Sequence, residues 1–342
     1  MALDPFHARL ASYRETALAR LLAAVPRREP QRYLYDPLTS YLTRTGKGIR
    51  PALCMATCQA FGGDASDALA SAAAIEMLHT AFLVHDDIED ESELRRGLPT
   101  LHSEQGVPIA LNAGDMMTAI SVRILRENLP ALGHTLTAGV YDEFEHMMQE
   151  SLEGQAMELG WMRDNRLDIS DEDYLRMVLK KTCWYSFIHP CRIGALIGTR
   201  NGVDLDRFNR FGSYLGTAFQ IQDDLLNLTG DERRYGKEIG GDLLEGKRTL
   251  MLIHLLRQVD TREAARINAY LGEPRPARSA QDMRWILELM RSRGSLDHAR
   301  KVTRQLAGAA LYEFNRAFRD VPESDEKTFL NQVISYMVSR DV

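Results

Sequence analysis

The chain has 342 residues, and 42 Lys and Arg against 48 Asp and Glu leave a formal charge of −6. That mildly acidic balance argues against a general nucleic-acid binder, which needs a basic field to displace counterions. With 44% apolar and 26% charged residues, the composition suits a folded protein that buries a large core without covalent staples.

The N-terminal stretch lacks the apolar region and small-residue cleavage site of a signal peptide. Helical periodicity then dominates. Helices are expected over 8–23, 47–61, 69–88, 109–128, 134–160, 171–198, 204–228, 248–259, 280–293, 296–318 and 325–340. Breaks are expected at 26–37, 62–63, 95–99, 163–169, 229–246 and 272–276. Alternating β-branched stretches are absent, so strands have little support. Residues 69–88 are apolar around almost the whole circumference, as in a helix buried on all sides. The segment 229–246 is too long for an ordinary connection and reads as a lid. No run reaches the roughly 18 uncharged apolar residues of a membrane span. Cys54, Cys58, Cys183 and Cys191 form no CxxC and read as apolar filler in a reducing compartment. The expected protein is cytoplasmic, with one all-α domain spanning 1–342.

Two acid clusters carry the chemistry. Asp86, Asp87 and Asp90 sit at i, i+1 and i+4 on one side of a helix, within about 6 Å along its axis. Two carboxylates that far apart repel by roughly 3 kcal/mol at an effective dielectric of 20. Asp223, Asp224 and Asn227 repeat the spacing at the end of the second most apolar helix, and Gln220 joins their face. A single cluster could be a solvated helix end. Two matched clusters after two buried helices point instead to hard divalent cations with oxygen ligands. Mg²⁺ in such sites is commonly completed by substrate phosphates, so a diphosphate is the expected ligand. An EF-hand does not fit, because its glycine is missing.

Bases that could meet phosphate oxygens lie beside glycines and acids: Lys47 and Arg50, Arg95 and Arg96, Lys181 before Thr182, and Lys237 and Lys247 in the long loop. The stretch from Gly241 to Lys247 matches GxxxxGK. Arg248 stands where a P-loop needs Ser or Thr, and no strand precedes it, so a nucleotide loop is not expected.

Together, HDDIEDESELRRGLPT, GKGIRP, the Lys181-Thr182 pair, FQIQDDLLNLTGD and GKEIGGDLLEGKRTL resemble the trans-isoprenyl diphosphate synthases, or polyprenyl synthetases, over about residues 35–335. The resemblance implies an isoprenoid-synthase-type helical bundle around a central cavity, a homodimer, and Mg²⁺ dependence with three ions per active site. It implies that an allylic diphosphate ionises and isopentenyl diphosphate attacks the cation. Asp86, Asp87 and Asp90 would bind Mg²⁺ on the allylic diphosphate. Asp223 and Asp224, with Asn227 in place of a third acid, would bind it from the opposite wall. Arg95 would meet the allylic diphosphate, and Lys47, Arg50, Arg96 and His79 would hold isopentenyl diphosphate. Lys181, Thr182, Gln220, Lys237 and Lys247 would steady the departing diphosphate. Gly48 stands where many relatives carry a second base.

The growing chain would thread beside the first acid helix, past Phe82, Ala81 and Leu78. Small Ala81 would let it pass and large Phe82 would oppose it, which gives a C20 product, with C15 as the alternative. A terpene cyclase on the same fold fits poorly, because the residues after Asn227 lack its second metal pattern. A non-catalytic subunit should have lost acids, and five Asp remain. A structural metal bundle leaves the paired bases unexplained.

Overall fold

The computed structural model describes residues 4–44, 46–230 and 239–338. Among the described residues ten α-helices fill the first two thirds: α1 (Pro5–Ala24), α2 (Asp36–Leu42), α3 (Ile49–Ala60), α4 (Ala65–Glu89), α5 (Leu101–Gln105), α6 (Val107–Leu125), α7 (Leu129–Arg163), α8 (Asp171–Val178), α9 (His189–Gly198) and α10 (Asn209–Thr229). Shorter helices follow at Gly241–Glu245, Leu250–Leu256, Thr261–Gly272 and Ala280–Ser292, then two longer ones at Ser295–Ala317 and Asp325–Val338. Among the described residues the only strands are Leu94–Arg95 and Leu98–Pro99, a small antiparallel hairpin. The all-α expectation holds.

Helix α4 starts at Asp64, whose side chain accepts a hydrogen bond from the Ser66 N–H. It packs against α6, α3 and α1, and Ala72, Ala73, Ala74, Ile75, Met77 and Leu78 are fully buried. By length and composition alone α4 could cross a membrane, but most of its apolar stretch is buried inside the bundle. Helix α10 bridges the two halves of the core. Phe211 and Leu215 join the cluster around α3 and α4, while Ile221, Leu225 and Leu228 join the cluster formed with Leu250–Leu256 and Ala280–Ser292. All four cysteines are free and buried.

The structure departs from the sequence reading in four places. Residues 26–37 are not simply a break, since a π-helical turn over Gln31–Tyr35 runs into α2. Pro37 sits in the first turn of α2, where its missing N–H costs nothing. The helix Thr261–Gly272 was not expected. Asp260 and Glu263 form a reciprocal capping box there, a signal visible in the sequence. The stretch 171–198 is not one regular helix, because Leu179–Ile188 is wound as a π-helix between α8 and α9. The 229–246 loop holds a helical turn, Gly241–Glu245, anchored by buried Leu243. The lid expected over 229–246 lies partly outside the described residues.

Candidate active site

The acid-bearing ends of α4 and α10 face one cavity of about 250 Å³. On the α4 wall Asp86 and Glu89 line it. Asp86 Oδ2 is 3.0 Å from Arg95 Nη2, and its Oδ1 is 3.4 Å from Lys181 Nζ. Neighbouring Asp87 is 1% exposed and does not line the cavity. Its Oδ2 accepts from the Tyr41 hydroxyl at 2.6 Å and its Oδ1 from Arg95 Nε at 2.6 Å. Asp90 is also buried away from the cavity. Lys247 Nζ donates to Asp90 Oδ2 at 2.6 Å, while Oδ1 has no hydrogen-bond partner. Burial pushes the Asp90 carboxyl up to about 7, although Lys247 pulls it down.

The hairpin brings Arg95 back beneath α4. Arg96 and Gly97 take φ of 57° and 74°, the left-handed pair that a tight two-residue hairpin turn requires. Arg96 then donates to the Arg44 carbonyl.

On the α10 wall Gln220, Asp223 and Asp224 line the cavity. Asp224 Oδ1 accepts from Gln220 Nε2 at 2.8 Å, and Oδ2 from the Tyr174 hydroxyl at 3.0 Å. Thr182 Oγ1 donates in turn to Gln220 Oε1 at 2.9 Å. Burial pushes Asp224 up to about 7, against the Gln220 hydrogen bond. Asn227 does not line the cavity. Its Oδ1 accepts from the Asp242 N–H at 3.0 Å and its carbonyl from the Gly240 N–H, which ties the following loop to α10.

The π-helical segment forms the third side. Its wide winding presents Lys181, Thr182 and Tyr185 to the cavity. Gly154 permits this approach, since a Cβ there would lie 2.2 Å from the Lys181 amide nitrogen. Lys181 Nζ also bonds Glu158 on α7. Burial pulls the Lys181 ammonium down, but Glu158 and Asp86 outweigh it and hold it above its ordinary value. Lys247 Nζ is shared between Asp90 and Glu245, each at 2.6 Å.

The predicted isopentenyl set divides. Arg50 and His79 line the cavity. Arg50 Nη2 donates to the Tyr185 hydroxyl at 3.0 Å and to Ser186 Oγ at 2.8 Å. Burial, then Arg50 and Arg96, hold His79 well below the usual imidazole range, so it stays neutral. Arg96 lies in a smaller hollow with Gly46, Gly48 and Glu76. Lys47 Nζ sits 5.8 Å from the Tyr336 ring centre. Lys237 lies outside the described residues.

Phe82, Leu83, Leu152 and Phe219 supply apolar lining. Phe82 meets the Tyr185 ring edge-on, centres 5.8 Å apart. Leu78 and Ala81 are fully buried in the core and do not line the cavity. The passage expected beside Ala81 is therefore not open in this structure. Sequence reasoning missed Glu89, Gln155, Glu158, Tyr174, Tyr185 and Asp242, all of which line the cavity. Gln155 and Glu158 were findable, since they share a helix face at i and i+3. Tyr174 carried no signal.

Among the described residues no three acid, His or Cys side chains are gathered to hold a metal ion. The acids are engaged by Arg95, Lys181, Lys247, Gln220 and two tyrosines instead. The donors are nevertheless hard oxygens on two facing walls, Asp86 on one and Asp223 and Asp224 on the other. They fit a cation such as Mg²⁺, which keeps waters and takes the rest of its ligands from substrate phosphates.

Cations and acids at one end, and aromatic and aliphatic walls at the other, define an enzyme for ligands with an anionic head and a hydrocarbon tail. The polyprenyl synthetase family model matches residues 31–290. The chain is 40% identical over 223 residues to a geranylgeranyl diphosphate synthase of Sulfolobus acidocaldarius, covering 65% of this chain and 67% of that protein. It superposes with a TM-score of 0.84 and 30% identity on a geranylgeranyl pyrophosphate synthetase from Pyrococcus horikoshii, covering 98% of each chain. It superposes at 0.83 and 26% identity on a geranylgeranyl pyrophosphate synthase from Corynebacterium glutamicum complexed with isoprenyl diphosphate and magnesium, covering 99% of this chain and 100% of that one. The chain belongs to the polyprenyl synthetase family. It is a transferase that elongates isoprenoid diphosphates.

Proposed function

We propose that the enzyme joins isopentenyl diphosphate head-to-tail to an allylic diphosphate, requires Mg²⁺, and releases C20 geranylgeranyl diphosphate. The observation that carries this reading is the single cavity with Asp86 on one wall, Asp223 and Asp224 on the other, and Phe82 and Phe219 beyond them. The C20 product rests on the names of the relatives, several of which are geranylgeranyl diphosphate synthases. C15 remains the alternative because Phe82 and Tyr185 meet across the apolar lining.

Asp86, Asp223 and Asp224, the acids of the two pairs that line the cavity, would hold the Mg²⁺ ions. Bound there, Mg²⁺ offsets the charge of the departing diphosphate. Lys181, Lys247 and Arg95 are fixed cations at the same end, aimed where negative charge grows as the allylic carbon–oxygen bond breaks. Arg50 can bind the second diphosphate beside neutral His79. The isopentenyl double bond then forms the new carbon–carbon bond, and the departing diphosphate takes the proton released next to it. No side chain has to serve as base. The aromatic lining keeps water from the cationic carbon.

Radiolabelled isopentenyl diphosphate, supplied with dimethylallyl, geranyl or farnesyl diphosphate, tests this directly. The expected result is a C20 alcohol after dephosphorylation, absent when EDTA removes Mg²⁺. C15 alone would favour the alternative, and no elongation with any primer would overturn the reading.

We further propose a homodimer formed through the outer face of α6. Val107, Leu111 and Val122 on α6, with Leu129 at the start of α7, expose apolar side chains. Sedimentation equilibrium should give twice the 38.7 kDa chain mass, and Leu111→Glu should shift it toward one chain. A wild-type protein of single-chain mass would refute the dimer.

A further inference from the structure

The two acid walls share a construction. In each, the second aspartate of the pair is bonded by the hydroxyl of a buried tyrosine brought from a distant helix. Tyr41 on α2 reaches Asp87 Oδ2 at 2.6 Å, and Tyr174 on α8 reaches Asp224 Oδ2 at 3.0 Å. Tyr41 is 2% exposed and Tyr174 is 1% exposed. The opposite oxygen is held by a nitrogen donor, Arg95 Nε for Asp87 and Gln220 Nε2 for Asp224. The first aspartates, Asp86 and Asp223, line the cavity.

We propose that Tyr41 and Tyr174 are positioning residues that lock the second aspartate of each pair, and so set the two walls to receive the metal–diphosphate. This rests on the Mg²⁺-dependent reading above. A buried carboxylate must be hydrogen-bonded or it is strongly disfavoured. A phenol fixes the carboxylate's orientation and adds no charge of its own, so Asp224 is held by neutral donors alone and Asp87 meets one cation, Arg95. A phenol is protonated at neutral pH and so serves as a neutral donor. The placement is doubly unobvious from sequence, because 46 residues separate Tyr41 from Asp87 and 50 separate Tyr174 from Asp224.

The test is Mn²⁺ binding followed by electron paramagnetic resonance, with inorganic pyrophosphate present. It compares wild type, Tyr41→Phe, Tyr174→Phe, Asp87→Asn and the Tyr41→Phe/Asp87→Asn double variant. Thermal unfolding of each runs in parallel. Wild type should bind Mn²⁺. Each tyrosine variant should bind it about tenfold more weakly, the usual scale for losing a group that orients a metal ligand's surroundings. Tyr41→Phe should add nothing in the Asp87→Asn background, because Tyr41 acts through Asp87. Unchanged Mn²⁺ affinity in both tyrosine variants overturns the proposal, whether or not their melting temperatures fall. Additive losses in the double variant overturn it for the α4 wall. Should one variant fail to fold, the tyrosine of the other wall decides. A wild-type protein that binds no Mn²⁺ refutes the metal reading itself, an outcome distinct from a variant that matches wild type.

Discussion

Replacing Asp86 with Ala will remove most turnover and leave the fold intact, whereas the same change at adjacent Asp87 will cost far more stability. The two carboxylates are neighbours in sequence but live in different surroundings. The Asp86 side chain is 21% exposed and lines the cavity, between Arg95 and Lys181. Its loss takes an anionic donor from the reacting end. A drop in kcat on the order of 10²–10³ is expected, the scale for deleting one preorganised electrostatic contact. Little stability is lost, because Arg95 keeps Asp87 and Lys181 keeps Glu158. Asp87 is the reverse. Removing it strips buried Arg95 of its closer partner and leaves the Tyr41 hydroxyl without an acceptor. Breaking such a buried pair typically costs about 3–5 kcal/mol. The lower end applies, since Arg95 still reaches Asp86. Urea unfolding and steady-state kcat, measured on both variants, separate the cases. Equal losses of stability, or a silent Asp86→Ala, would refute the division of labour.

That division shows where the sequence stops being readable. The apolar run of α4 and the matched acid spacing at Asp86 and Asp223 were visible, because burial on all sides and helical period leave marks in residue type. Which acid of a pair turns inward was not, because Asp86 and Asp87 differ only in what packs beside them. Their partners come from afar: Tyr41 from α2, in a stretch for which the sequence predicts no helix, and Tyr174 from the helix before the π-helical turn. The π winding of Leu179–Ile188 left no signal either. The close approach of α7 to it at Gly154 is a tertiary contact. Asn227 was grouped with the acids by spacing alone, yet it spends its oxygen on the Asp242 N–H. Spacing assigns a face, and packing assigns the partner on that face. Ala81 and Phe82 repeat the lesson in the apolar end, where adjacent residues fall on the core side and the cavity side of one helix.

Phe82→Ala will therefore lengthen the product, while Ala81 substitutions to larger residues will act chiefly on stability. Phe82 lines the cavity and meets the edge of Tyr185. Deleting its ring removes a phenyl group's worth of carbon from the lining, a little more than the five carbons of one isoprene unit. A wild-type C20 enzyme should then release C25 and longer chains, and a wild-type C15 enzyme should release C20. The change in product length is the same step in either case, so the result does not depend on which parent product is found. Folding should survive, because Phe82 is only partly buried and its loss falls below the roughly 3–5 kcal/mol of a fully buried Phe→Ala change. Ala81 is fully buried, and added carbons there meet close-packed neighbours, at a typical cost of about 1–3 kcal/mol. Sizing dephosphorylated products from both variants, with melting temperatures alongside, decides it. An unaltered product distribution from Phe82→Ala would mean that the tail runs along Leu152 and Leu83 instead and that Phe82 is only part of the wall.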